Sequence, residues 1–326
     1  MTTTPISPSK IHISDKIASA VYEGLMSRSK WLPSWLFYDA TGSRLFDEIT
    51  RIPEYYVTRT ERKILAEHCA EIVARAAGEN ALRIVELGAG SAEKTRLVLT
   101  AAAERQDTVF YEPVDVSASA LVEAQMRIED ELPGVIVCPR VQDYTHDLEL
   151  DSTLPNERRL LMYIGSSIGN FEPGESLMLL ERVRAAMEPG DCFLLGVDLV
   201  KDEAVVQAAY DDAGGVTAAF NRNVLVRLNR ELDADFNPAA FGHRAVWNAA
   251  ESRMEMHLVS AKKQEVWLPG IDLRVKFEVG ESIHTENSYK YRPGAAEALL
   301  TKAGFASEET WTDERGWFAV VLARAM

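Results

Sequence analysis

Two glycines, a lysine and acidic residues set just behind short apolar runs are the groups in this chain with the clearest chemical use. Arg83-Ile84-Val85-Glu86-Leu87-Gly88-Ala89-Gly90-Ser91-Ala92-Glu93-Lys94-Thr95 reads as a buried strand passing through a glycine turn into a helix. Such a turn lets backbone approach a nucleotide. Glu93 stands where the fingerprint G-x-G-x-x-G has its third glycine, which disfavours a pyrophosphate packed on the helix N-terminus. S-adenosylmethionine (SAM), which has no phosphate, fits better. Gly88 and Gly90 admit its amino-acid half, and an acidic residue after the next strand can hold the ribose hydroxyls. A lone G-x-G is also met as an ordinary glycine turn, so weight falls on the residues downstream.

Phe110-Tyr111-Glu112-Pro113-Val114-Asp115 closes the next apolar run, with Asp115 lying 25 residues beyond Gly90. Asp115 is the expected ribose ligand and Glu112 its rival; Pro113 favours Asp115, because regular strand pairing should be interrupted there. Asp143-Tyr144 follows the third run, where a carboxylate can accept from the adenine amine and a ring can cover the base; the plainer reading is a loop acid beside a packed tyrosine. Lys94 is either a solvated helix residue or a partner for the cofactor carboxylate. Behind the fourth run, Gly165-Ser166-Ser167-Ile168-Gly169-Asn170-Phe171 is dense in small residues. The Asn170 amide there either orients a substrate or caps a turn. The Asn-Pro-Pro motif of nucleic-acid amino-methyltransferases is absent.

The chain has 326 residues, with 35 basic against 50 acidic side chains and a net charge of −15. That balance repels polyphosphate and argues against a nucleic-acid substrate; a small-molecule substrate is expected, with no obligate protein partner evident. No run reaches membrane-spanning length, and the N-terminal residues lack the apolar segment of a secretory signal. Cys69, Cys138 and Cys192 form no C-x-x-C pair and read as buried free thiols of a cytoplasmic protein. The six histidines are scattered, so no metal site is expected.

Positioning these groups requires alternating strands and helices. Apolar runs at 81–87, 108–114, 134–137, 159–164 and 192–199 read as strands, with helical patterns such as 118–128 and 175–187 between them. Alternation of this kind predicts an α/β fold with a parallel sheet covered on both faces. A helix at 295–303 and strands at 307–312 and 317–323 predict a terminal antiparallel hairpin, the arrangement of the class I methyltransferase (Rossmann-like) fold. Upstream, Leu45, Phe46, Ile49 and Ile52 share a helical face, and Thr58-Arg59-Thr60-Glu61 has the spacing of a capping box before a long helix. Residues 201–291 break the rhythm: helices at 204–210 and 217–229 precede strands at 254–259, 264–268, 273–279 and 282–285. This stretch predicts a mixed α+β lid inserted beyond the strands' carboxyl ends. The division expected is a SAM-binding domain over 62–199 and 291–326, a substrate or lid domain over 12–61 and 200–290, and a mobile tail over 1–11.

A specific resemblance then emerges. It rests on Trp35-Leu36-Phe37-Tyr38-Asp39, Gly42-Ser43-x-Leu45-Phe46-Asp47, Pro53-Glu54-Tyr55-Tyr56-x-Thr58-Arg59-Thr60-Glu61 and Gly165-Ser166-x-Ile168-Gly169-Asn170, followed by Asp198-Leu199-Val200-Lys201-Asp202, Tyr210-Asp211-Asp212-x-x-Gly215-Val216-Thr217-x-x-Phe220-Asn221 and Thr285-Glu286-x-Ser288-x-Lys290. Together these resemble the histidine Nα-methyltransferases of ergothioneine biosynthesis, from about Trp35 onward. The resemblance implies trimethylation of the α-amine of L-histidine to hercynine with three molecules of SAM. It implies cofactor contacts at Gly88, Lys94, Asp115, Asp143 and Tyr144, and substrate contacts at Tyr55, Asn170, Tyr210, Glu286 and Ser288, with Tyr38 nearby. Asn287 and Tyr289 flank the imidazole-contacting pair where members of the family vary.

Physical readings stand beside each. Tyr55 also suits a core aromatic, and Tyr210 an amphipathic surface ring. Glu286 and Ser288, two apart on an extended segment, share a face and could serve one ring, a carboxylate accepting from an imidazole N–H. No dedicated base is evident; Tyr38 or Tyr55, through water, is the expected proton carrier. Two other readings remain: the same chemistry on another aromatic amino acid or amine, and a SAM-binding regulatory module without catalysis.

Overall fold

A computed structural model describes residues 8–90 and 94–326. In chain order the first helices are α1 (Pro8–Met26), α2 (Ala40–Ile49) and α3 (Tyr56–Ala77), then β1 (Ala81–Leu87), α4 (Thr95–Ala103), β2 (Val109–Asp115) and α5 (Ala118–Glu131). The short strands β3 (Val135–Val137) and β4 (Arg140–Val141) lead to β5 (Glu157–Tyr163), α6 (Pro173–Ala186) and β6 (Cys192–Asp198). Helices α7 (Glu203–Tyr210) and α8 (Val216–Glu231) precede strands β7 (Phe241–Asn248), β8 (Arg253–Ser260), β9 (Gln264–Leu268), β10 (Leu273–Phe277) and β11 (Ser282–Tyr289). The sequence continues through α9 (Ala295–Lys302), β12 (Phe305–Thr312) and β13 (Phe318–Ala325).

The chain divides into two compact units. One comprises Tyr56–Lys201 with Tyr289–Met326; the other comprises the chain up to Tyr55 with Asp202–Ser288. The first holds an eight-stranded sheet in the order β12-β13-β6-β5-β1-β2-β3, with β4 also paired to β2. Neighbours from β6 to β3 run parallel, and β13 is antiparallel to both β6 and β12. This is the order of the class I methyltransferase fold, with its terminal antiparallel hairpin. Strands β1, β5 and β6 are buried nearly throughout, as central parallel strands covered by helices must be. Phe193 of β6 and Phe305 of β12 stack at 5.4 Å within the core on one side of the sheet.

The second unit carries a three-stranded sheet ordered β11-β8-β7 and an antiparallel β9–β10 pair. Every second residue of β8 is buried, the pattern of a sheet with one covered face. Phe236, Phe241 of β7 and Phe277 of β10 meet edge to face or tilted.

Several expectations need correction. Helix α3 begins at Tyr56, so Thr58 lies inside it: the capping box does not form, and Thr60 instead donates to the carbonyl of Tyr56 at 2.9 Å. The whole of α3 joins the sheet unit, whose boundary falls at 55/56 and not at 61/62. Helix α1 begins at Pro8, inside the stretch expected to be a tail; residues 1–7, like Ser91, Ala92 and Glu93, lie outside the described residues. Strand β7 was not anticipated. Cys192 alone among the cysteines is buried; Cys69 is half-buried and Cys138 exposed.

Candidate active site

In the sheet unit, β1 delivers the chain into a turn where Gly88 has φ +67° and Gly90 φ +50°, left-handed conformations that favour glycine. A Cβ on Gly88 would lie 3.1 Å from the Tyr144 hydroxyl, so the bare backbone leaves a cradle there that a side chain would fill. The Tyr144 ring meets Tyr163 edge to face at 5.8 Å. Burial raises the Tyr144 hydroxyl to about 12, which keeps it a neutral donor. Asp115 ends β2 and accepts from the Ser117 N–H at 2.9 Å. Its carboxyl is raised by burial and lowered by backbone donors that include Gly90. The rival Glu112 is buried in an ion pair with Arg83 at 2.5 Å, which leaves Asp115 as the carboxylate beside the glycine turn. Pro113 stays in register with Glu86 of β1; on its other side, pairing to β3 stops at Tyr111 and pairing to β4 resumes at Val114. The proline therefore interrupts one side of the strand and not both. Asp143 accepts from the N–H and hydroxyl of Thr145 at 3.1 and 2.5 Å, an Asx turn that fixes its carboxylate.

Lys94 immediately precedes α4, without a side-chain capping bond, and is ion-paired to Glu61. Glu61 is fully buried on α3 and also accepts from the Gly165 N–H at 2.8 and 3.0 Å. The lysine is thus neither solvated nor held in reserve for the cofactor alone. Gly165 has φ +89° and Ser166 φ +61°, and they open the 3-10 turn Ser167–Asn170 that carries Asn170. A Cβ on Gly169 would come within 2.8 Å of the Tyr289 carbonyl, so this turn lies against the backbone at the end of β11.

The second unit gathers the aromatic residues. Tyr55 is buried and meets Phe46 at 6.2 Å and Tyr210 at 6.5 Å, both edge to face. Tyr38, 39% exposed, meets Phe46 at 5.8 Å and Phe220 at 5.9 Å. The Tyr210 hydroxyl donates to Ser288 Oγ at 2.7 Å. Strand β11 runs unbroken through both Glu286 and Ser288, so period two sets them on one face, and both are buried. Asn287 faces the other way, and Tyr289 donates to Glu172 at 2.5 Å. Upstream, Asp39 caps α2 at Gly42 and also binds Asn223 and Arg230 of α8, fixing the segment that presents Tyr38.

A second buried cluster was missed by sequence reasoning. Asp198 meets Tyr56, Lys201 and Lys290, although Asp198, Lys201 and Lys290 all stand in the motifs that carry the resemblance. The available signal was the charged residue closing a wholly apolar strand. Among the described residues, no group of three or more His, Cys, Asp or Glu could hold a metal ion, and no helix is long and apolar enough to cross a membrane.

Comparison with known proteins follows the same lines. A family model described as histidine-specific methyltransferase, SAM-dependent, matches residues 17–325. The chain is 46% identical over 304 residues to a histidine N-alpha-methyltransferase of Mycobacterium tuberculosis, covering 93% of each chain. The protein of that name from Mycolicibacterium smegmatis matches to the same extent. Ergothioneine biosynthesis protein 1 of Neurospora crassa is 29% identical over 299 residues, which span 90% of this chain and 33% of that protein. Matched almost from end to end, the chain belongs to the histidine-specific, SAM-dependent methyltransferase family.

Proposed function

We propose that this chain transfers methyl groups from SAM to the α-amine of L-histidine, three times in succession, giving hercynine as the first step of ergothioneine formation. The observation that carries the reading is the nearly full-length match to a histidine-specific family, with 46% identity to a relative named for this reaction. Geometry supports it: a buried carboxylate and a buried hydroxyl share one face of β11, and the hydroxyl is already bonded to Tyr210. An imidazole, with one ring nitrogen to donate and one to accept, suits such a pair.

The cradle at Gly88 and the carboxylate of Asp115 fit SAM; in this reading Asp143 and Tyr144 would meet the adenine and Lys94, ion-paired here to Glu61, would meet the carboxylate of the amino-acid end. Bound there, SAM supplies a methyl group activated by its sulfonium. The protein's own residues align the amine, Asn170 and Tyr55 at the amino-acid end and Glu286, Ser288 and Tyr210 at the ring. Alignment of this kind is worth up to roughly 7–11 kcal/mol in favourable cases. The amine must be neutral to react, and a nearby sulfonium disfavours the ammonium form. In this reading Tyr38 or Tyr55, through water, passes the proton on; Tyr55 is buried and Tyr38 39% exposed. Their ring faces also suit the quaternary ammonium formed at the third transfer.

The test is a time course of the purified protein with L-histidine and excess SAM, followed by mass analysis. The expected end point is three added methyls on the α-nitrogen. Methylation of the ring, or arrest after one methyl with active enzyme and SAM remaining, refutes the orientation proposed. Substituting phenylalanine and tryptophan for histidine in the same assay separates the reading from a broader aromatic acceptor.

A further inference from the structure

Asp198 closes β6 with no exposure to solvent, where an unpaired carboxylate would be costly. The Tyr56 hydroxyl donates to its Oδ2 at 2.8 Å, and Lys290 Nζ lies 2.8 Å from the same oxygen. Lys201 Nζ lies 2.5 Å from Oδ1 and donates also to the Tyr56 hydroxyl at 2.8 Å and to the Leu199 carbonyl. The Asp198 N–H in turn donates to Ser166 Oγ at 2.9 Å. Both lysine side chains are almost wholly buried. Two ammonium groups therefore share one carboxylate, an arrangement that apolar residues of similar volume would often match or exceed in stability.

What the partners have in common is their place in the chain, which passes between its two units at 55/56, 201/202 and 288/289. Tyr56 is the first residue after the first crossing, Lys201 the last before the second, and Lys290 the second after the third. Ser166 opens the turn that carries Asn170. The neighbours of these residues are Tyr55, Ser288 and Asn170, each read above as a ligand of the amino-acid substrate. Of the residues read as cofactor ligands, Asp115 ends β2 and Asp143 and Tyr144 follow β4, and none of these three bonds to the Asp198 cluster; Lys94 comes nearest, through Glu61, which accepts from the Gly165 N–H beside Ser166.

We propose that Asp198, with Tyr56, Lys201 and Lys290, is a positioning cluster for the amino-acid substrate, fixing the backbone beside Tyr55, Ser288 and Asn170 without touching the substrate itself. The proposal rests on the assignment of those three residues as histidine ligands. It separates the two ligands of the reaction: loosening the cluster disturbs histidine and spares SAM.

Tyr56→Phe removes one hydroxyl and leaves the ring against Trp317, its edge-to-face neighbour at 5.2 Å. The expected result, by calorimetry and steady-state kinetics, is a Kd and KM for histidine raised about 5- to 30-fold, less than the roughly 13- to 150-fold of a direct hydrogen bond to a charged group, because the cluster acts on the substrate through the backbone. SAM affinity should stay within about twofold of wild type, since hydrogen bonds remote from a ligand leave its contacts unchanged, while Tm falls by a few degrees because buried Asp198 and Lys201 each lose a partner. Lys290→Met, which leaves Asp198 paired with Lys201 and Tyr56, should act in the same direction. Histidine affinity unchanged in both variants overturns the proposal, as does a parallel loss of histidine and SAM affinity. A wild-type protein that binds SAM and not histidine overturns the substrate assignment, and this proposal with it; wild-type binding of histidine matched by both variants overturns the proposal alone.

Discussion

Glu86, one residue before the end of β1, is wholly buried and accepts from the Tyr111 hydroxyl at 2.5 Å and from Thr95 Oγ1 at 2.7 Å on both oxygens. Burial raises its carboxyl from 4.5 to about 7, against the opposing pull of those two hydroxyls. A carboxyl raised on folding favours the folded state while protonated, so its contribution is complete below about pH 4.5 and is lost as pH rises through about 7. Glu86→Gln keeps the shape and cannot ionise. Relative to wild type it should therefore gain stability between pH 5 and pH 8, by at most about 3 kcal/mol. Urea titrations at the two pH values check this, and an equal difference at both would mean that Glu86 does not titrate in the window. At the substrate end, Glu286→Ala should cost about 2–3 kcal/mol of transition-state stabilisation for histidine, roughly 30- to 150-fold in kcat/KM. The relative rate on phenylalanine should rise, because a site built to bond a polar ring rejects rings that leave its own polar atoms unpaired. Paired kcat/KM values for the two amino acids decide it; an unchanged ratio would make Glu286 a scaffold residue.

Helix α3 shows what an element contributes beyond its own hydrogen bonds. It carries Glu61 to the Gly165 N–H and to Lys94, and β6 has glycine at 196, where a Cβ would overlap the Glu61 carboxylate. Glu61→Gln retains an oxygen for Gly165 and loses the charge that holds Lys94, so unfolding free energy should fall by about 1.5–3 kcal/mol, the worth of a hydrogen bond to a charged group. Denaturant titration measures it, and a change within a few tenths of a kcal/mol would show that Lys94 finds another partner. Sequence reasoning misread this very residue. Thr58 and Glu61 have capping-box spacing, a local signal, while the partners that claim Glu61 lie 33 and 104 residues away. By contrast β1 and β9 were legible to the residue, since one is a continuous apolar run and the other is bounded by a Pro-Gly turn. The shared face of Glu286 and Ser288 was legible too, because period two is intrinsic to a strand. The bond from Tyr210, 78 residues away, to Ser288 was not readable from spacing, and the family resemblance gave the two only as substrate contacts. Strand β7 escaped because Gly242-His243-Arg244 shows no alternation; its register with β8 makes it a strand.

On the scale of the whole chain, each unit is assembled from two separated pieces. Residues 202–288 depend on the earlier piece: Arg227 donates to the Leu36 carbonyl at 2.9 Å, Asn223 binds Asp39, and the Leu32 N–H donates to His284 at 2.8 Å. A fragment of residues 202–288 alone should show no cooperative thermal transition by circular dichroism, and co-expression with residues 1–55 should restore one. A cooperative melt of the fragment alone would show that these links are dispensable. The sheet has an order of assembly as well. Strand β13 lies between β6 and β12 and is made after both. While a ribosome is still adding residues 318–325, β6 presents an open edge of unpaired backbone, the kind of surface that recruits other chains. Completion of this sheet therefore waits on translation of its final strand, and a stop codon before residue 318 would leave the edge open for the life of the polypeptide, a substrate for chaperones and proteases rather than an enzyme.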